Sequence, residues 1–192
     1  MYARAGRDLA SLPWATLAPD AFLMEWLDSA AGPAPGRALV VGCGLGDDAE
    51  ELARRGHRVT AFDVSPTAIA RCAERFPRSD VDYSVADVLD LPAAWAGAFD
   101  LVVEIRTIQS LEPAMWEAAI ASIAALPAPD GVLFVRCFGR DEGDPTGGRP
   151  WPLSRLDLEG FPRAGLRAED FRDRADPTLR GRSFTIRYRR PA

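Results

Sequence analysis

The 192-residue chain contains no lysine, so all 23 of its basic side chains are arginine. That excludes a Schiff-base lysine and the lysine of a phosphate-binding P-loop. Histidine is nearly absent. The one present, His57, lies just before a short apolar run, at the strand end remote from a ligand cleft, which leaves carboxylates as the general-base candidates. Cysteine is scarce and odd in number, and no two cysteines form a Cys-x-x-Cys pair. Cys43, Cys72 and Cys137 therefore read as reduced core or loop thiols of a cytoplasmic protein. No apolar run approaches the roughly 20 residues of a membrane helix, and the N-terminus lacks the basic-then-apolar plan of a signal peptide. The net charge of -5 argues against nucleic acid as a partner, because phosphate binding needs a basic face. Arg187, Arg189 and Arg190 read as the solvated side of a last strand.

What is present suits one α/β domain, with 47% hydrophobic and 27% charged residues. Residues 1–36 read as an N-terminal helical cap segment. It carries helical spacing in Phe22, Leu23, Trp26 and Leu27 and a Gly/Pro break at Ala31 to Gly36. From residue 37 to 192, strands and helices alternate. Apolar strand runs at 37–41, 58–62, 81–86, 99–104 and 131–137 are separated by helical patterns, one of them started by a Ser65 cap and Pro66. Residues 165–173 and 182–190 read as two strands with no helix between them, joined by a turn at Asp176-Pro177. The expected fold is a doubly wound, Rossmann-like, mostly parallel seven-stranded sheet with an antiparallel C-terminal hairpin.

The strand-to-helix turn Gly42-Cys43-Gly44-Leu45-Gly46 places bare backbone where a ligand approaches. The dinucleotide fingerprint wants a third glycine where this chain has Asp47, and Asp47 and Asp48 would repel a pyrophosphate. S-adenosylmethionine (SAM) has no phosphate and carries an ammonium and a sulfonium, so an acidic turn suits it better. The turn's amides can take its carboxylate. Asp63 ends the second strand at the spacing of a ribose-binding carboxylate. Val64 is placed to touch an adenine face, Asp87 to accept from the adenine amino group, and Val88 to flank the base.

The segments Val40 to Asp48, Arg55 to Pro66 and Ala86 to Pro92 resemble class I SAM-dependent methyltransferases, in a style similar to the thiopurine S-methyltransferase and tellurite-resistance methyltransferase branch. The resemblance implies SAM as methyl donor, with Gly42, Gly44 and Gly46 at its methionine part, Asp63 at the ribose and Asp87 at the adenine. Cys43 and Asp47 belong to the same turn. Glu104, at the end of the fourth strand, matches the position beside donor and acceptor. Many relatives have an acidic residue where this chain has Val40.

Methyl transfer needs alignment of acceptor, methyl and leaving sulfur, plus exclusion of water. A hydroxyl or amine acceptor also needs a base, for which Glu104 is the leading residue. Arg106 either orients an anionic substrate or pairs with Glu104. Gln109 contacts substrate or holds its loop. Arg140 and Trp151 are expected as a substrate wall, with Trp14 and Trp26 as a lid. The expected partner is a small-molecule methyl acceptor, the expected assembly a monomer or homodimer. Alternatives are a SAM-binding protein without catalysis, a nicotinamide-dependent oxidoreductase, and a metal-assisted enzyme using Asp141, Glu142 and Asp144.

Overall fold

The computed structural model describes residues 17–145, 147–176 and 181–192. In the first of two compact units, up to Asp87, helix α1 (Ala21–Leu27) is capped by Asp20, whose carboxylate accepts from the amides of Phe22 and Leu23. Its apolar face buries Leu23 and Trp26, and the Trp26 indole donates to the Ala31 carbonyl at 3.0 Å. Trp26 is thus a packing residue. Trp14 lies outside the described residues.

Strand β1 (Arg37–Val41) is buried from Ala38 onward, as a central strand covered on both faces must be. It pairs in parallel with β2 (Arg58–Asp63), which pairs in parallel with β3 (Asp82–Val85). Helix α2 (Asp47–Arg54) follows the glycine turn and carries Asp47, Asp48 and Glu50 in its first turn, where carboxylates favour the positive end of the helix dipole. Helix α3 (Pro66–Arg75) begins as the sequence indicates, with Pro66 in its first turn and Ser65 accepting from the Ala68 amide.

In the second unit, β4 (Phe99–Ile105) pairs in parallel with β5 (Pro127–Phe138), and β7 (Gly181–Arg189) runs antiparallel between β5 and β6 (Arg167–Asp176). Strand β5 starts four residues before its apolar run. Pro127 pairs with Phe99, and Asp130 donates to the Arg190 carbonyl, so backbone bonding extends a strand that composition marks as a turn. A 3-10 turn (Ile108–Ser110) follows β4, a second (Pro113–Met115) leads into α4 (Trp116–Ala124), and α5 (Arg155–Leu158) starts at a Ser154–Asp157 capping box. A last helical turn, α6 (Gly160–Arg163), buries Phe161 against Tyr188. The hairpin holds a buried Arg136–Asp176 ion pair joined by Ser183. The strand order is β3-β2-β1-β4-β5-β7-β6. The sheet is mostly parallel with an antiparallel C-terminal hairpin, as the sequence pattern predicts.

Candidate functional site

In the first unit the glycine turn is built by backbone conformation. Gly42, Gly44 and Gly46 all have positive φ, at 61°, 56° and 89°. Gly46 is required twice over, because a Cβ there would also meet the Tyr83 hydroxyl at 2.5 Å and the Cys72 sulfur at 3.1 Å. The Cys43 amide donates to the Phe62 carbonyl, the Gly44 amide to Asp63 Oδ2 at 3.1 Å, and the Gly46 amide to the Cys43 carbonyl. Asp63 Oδ1 accepts from the Ser65 amide at 2.8 Å. The end of β2 is therefore stitched to the end of β1 by one buried carboxylate.

The three acidic residues in the first turn of α2 all have partners inside the protein. Asp47 forms a two-pronged ion pair with Arg75 at 2.6 and 2.8 Å. Asp48 Oδ1 accepts from the Asp20 amide at 2.7 Å. Glu50 accepts from Tyr83 and Ser79. Cys43 shares a hydrogen bond with Cys72, which together with burial pushes its thiol well above the usual range, so it stays protonated. Val40, at the position that is acidic in many methyltransferases, is a core side chain with 4% exposure.

Beyond Asp63 the surface is apolar. Val64 is 66% and Val85 52% exposed, and Val85 is the register partner of Asp63. Together with the exposed carboxylate of Asp87 they offer a shelf for a flat base with an exocyclic amine. Sequence reading missed Val85, because strand alternation alone does not say that a terminal valine stays uncovered. Its register opposite Asp63 is the signal that was needed.

In the second unit, Glu104 is wholly buried at the end of β4. Its Oε1 accepts from the amides of Thr107 at 2.6 Å and Ile108 at 3.1 Å, while Oε2 has no hydrogen-bond partner among the described residues. Burial pushes this carboxyl up to about 7, against the opposing pull of the two amides and of the Arg106 charge. Arg106 has a φ of 62°, and its amide donates to the Arg136 carbonyl. Gln109, also wholly buried, accepts at Oε1 from the Phe138 amide at 2.7 Å and receives the Trp151 amide on its carbonyl, while its Nε2 has no partner among the described residues. Gln109 thus both holds its loop and keeps a donor in reserve. Val88 is 5% exposed and offers little surface to a ligand.

The substrate-wall residues separate into two kinds. Arg140 is spent on structure. It donates to the carbonyls of Pro152, Asp141 and Asp144 and pairs with Asp157. Trp151 is half-buried beneath the Arg149 guanidinium, 5.0 Å from its ring centroid. Asp141 pairs with Arg182, and Asp144 accepts from the Asp141 amide. Among the described residues no group of three or more potential metal ligands occurs, and no helix is long and apolar enough to cross a membrane.

Residues 38–131 match the protein family described as a methyltransferase domain. The matched stretch, just under half of the chain, is similar to known methyltransferase domains. A ubiquinone biosynthesis O-methyltransferase of Xanthomonas axonopodis pv. citri (strain 306) is 36% identical to the chain over 119 residues, covering 61% of this chain and 49% of that protein. The chain thus spans about half the length of the curated relatives it matches. Two solved structures share the fold. The N-methyltransferase NodS from Bradyrhizobium japonicum WM9, in complex with S-adenosylhomocysteine, aligns with a TM-score of 0.70 at 24% identity, covering 89% of this chain and 85% of that one. A TehB-like SAM-dependent methyltransferase from Corynebacterium glutamicum aligns with a TM-score of 0.70 at 22% identity, covering 97% and 95%. The NodS structure holds S-adenosylhomocysteine, a ligand with a ribose, an adenine and a carboxylate.

Proposed function

We propose that this protein transfers a methyl group from SAM to the oxygen of a small, weakly acidic hydroxyl compound. The observation that carries the reading is Glu104. It is a buried carboxyl at the end of β4 with one oxygen fixed by two amides, the other unpartnered, and an affinity for protons poised near neutrality. A base so tuned takes a proton from a hydroxyl at physiological pH. The name of the curated relatives supports an oxygen acceptor in the same sense. The motif resemblance to the thiopurine and tellurite-resistance branch supports a sulfur-type acceptor instead, one that needs no base.

The bound cofactor supplies an electrophilic methyl carbon on a sulfonium. Gly42, Cys43, Gly44, Gly46 and the start of α2 receive its methionine end. Asp63 takes the ribose hydroxyls, and Val64, Val85 and Asp87 the adenine. Asp47 serves the turn through Arg75. Glu104 receives the acceptor's proton at Oε2, Gln109 Nε2 donates to a neighbouring oxygen of the acceptor, and Arg106 and Trp151 shape its surroundings.

A second reading, a SAM-binding protein without turnover, is favoured by one observation: Glu104 and Gln109 have no exposed surface. Radiolabelled methyl transfer to a panel of phenols, enols, thiols and amines decides between them. Methylation of hydroxyl compounds, with a rate rising through about pH 7 and lost in Glu104→Gln, supports the proposal. Binding of S-adenosylhomocysteine with no transfer to any of the panel supports the second reading. Transfer to thiols with no pH dependence removes the role of Glu104.

A further inference from the structure

Strand β4 ends at Ile105, and the bonding to β5 continues one residue further, where the Arg106 amide donates to the Arg136 carbonyl at 2.9 Å. Arg106 then turns the chain. Its φ is 62°, in the left-handed region, whereas Thr107 is back at helical angles, φ -77° and ψ -51°, and the 3-10 turn follows. The Arg106 amide thus belongs to the sheet, and the next two amides leave it. They fold back on a side chain already passed: Thr107 and Ile108 donate to Glu104 Oε1 at 2.6 and 3.1 Å. An extended φ at Arg106 would carry the chain onward and take both amides away from that carboxylate.

A side chain in left-handed backbone is strained, and glycine would avoid the strain. What arginine adds is charge. Its guanidinium pulls the proton affinity of Glu104 down, against the upward push of burial. Two other groups sense Glu104, Cys137 of β5 and Tyr188 of β7. Both are buried and pushed up, so both stay protonated at neutral pH. Arg136, the register partner of Ile105, belongs to the other face of the sheet and pairs with Asp176. Backbone and charge of one residue therefore converge on one buried carboxyl.

We infer, on the reading of Glu104 as the base, that Arg106 is its positioning residue: the left-handed turn brings two amides onto Oε1, so that Oε2 alone is left to take the acceptor's proton. In this role Arg106 acts through Glu104 and needs no contact with the acceptor.

Amide resonances of 15N-labelled protein, followed from about pH 5 to about pH 9 without cofactor or acceptor, test it. In wild type the Thr107 and Ile108 amides should move together with a midpoint of about 7, and in Glu104→Gln neither should move. Arg106→Gly should keep the paired movement at a higher midpoint, because the turn survives and the charge is gone. Arg106→Lys should keep both movement and midpoint. Arg106→Val, whose branched side chain disfavours the left-handed region, should lose the paired movement. A charge-matched comparison needs no branched variant: Arg106→Gly should melt about 2–4 °C above Arg106→Ala, since only glycine relaxes the turn. Paired movement kept in Arg106→Val or lost in Arg106→Gly overturns the inference, as does Arg106→Gly melting no higher than Arg106→Ala. A merely structural Arg106 would change melting and leave the titration of the two amides as in wild type in every variant, which overturns it too. Wild-type protein that transfers no methyl group overturns the base reading instead, an outcome separate from the titration.

Discussion

Gly46→Ala tests the turn at its tightest point. Two costs add. A side chain at φ 89° occupies the left-handed region, which costs about 1–2 kcal/mol for an L-residue. The new methyl would also sit 2.5 Å from the Tyr83 hydroxyl and 3.1 Å from the Cys72 sulfur, and forcing such atoms apart in a packed site costs about 1–3 kcal/mol. The sum is about 2–5 kcal/mol. Gly97 supplies the control. Its φ is 63°, but nothing lies within 4 Å of a Cβ built there, so Gly97→Ala carries only the backbone term.

For a chain of this size each kcal/mol lowers the melting temperature by about 2–4 °C. Thermal unfolding followed by circular dichroism should therefore place Gly46→Ala clearly below Gly97→Ala. Adding Tyr83→Phe to Gly46→Ala removes the nearest atom and should return part of the loss, a coupling of about 0.5–3 kcal/mol in a double-mutant cycle. S-adenosylhomocysteine affinity should fall with Gly46→Ala and hold with Gly97→Ala. If Gly46→Ala melts no lower than Gly97→Ala and Tyr83→Phe restores nothing, the close approach beneath the turn is wrong, and with it the account of why glycine stands there.

Two further outcomes follow from burial and exposure. Glu104 binds its proton more tightly folded, at about 7, than unfolded, at 4.5, so its stabilising contribution is full below about pH 4.5 and is lost as pH rises through 7. Glu104→Gln, which cannot ionise, should match wild type near pH 5 in urea unfolding and exceed it above pH 8 by about 3 kcal/mol; a difference that does not change with pH would refute the burial argument. Val64→Ser and Val85→Ser, at exposed positions, should leave the melting temperature in place while each weakens 5′-methylthioadenosine binding by about fivefold, the effect of losing part of one apolar contact. Unchanged binding would move the adenine elsewhere.

The parts of the fold that sequence made legible are those where one local rule acts alone. Apolar runs marked β1, β2 and β4 because buried parallel strands need little else, and Ser65-Pro66 marked the start of α3 because capping is local. The early start of β5 was not legible. Pro127 to Asp130 carry turn chemistry, and only pairing with Phe99 and Arg190 makes them a strand. The site divides in the same way. Positive φ at Gly42, Gly44 and Gly46 could be anticipated from a strand-to-helix turn. The partners of Asp47 and Arg140 could not, since Arg75 and Asp157 lie 28 and 17 positions away and meet them only in the folded chain. Nor does sequence say that Val88 turns inward while Val85 stays uncovered.

That difference changes the reason for excluding a dinucleotide. From sequence, the carboxylates of Asp47 and Asp48 repel a pyrophosphate. In the folded chain Asp47 is neutralised by Arg75, and Asp48 is occupied by the Asp20 amide, so the repulsion is blunted. What remains is a count of donors. A phosphate-binding turn offers several converging amides, whereas here, among the described residues, three of the four amides from Cys43 to Gly46 are consumed within the protein and one is left. One amide beside a helix start suits a single carboxylate. The two explanations part at Asp47→Asn. If charge repulsion excluded the dinucleotide, removing the charge should admit NAD. If the donor count excludes it, NAD should still fail to bind at millimolar concentration, while S-adenosylhomocysteine weakens because Arg75 has lost its anchor. Calorimetric titration of the variant with both ligands separates the cases, and NAD binding by Asp47→Asn would sink the donor-count account.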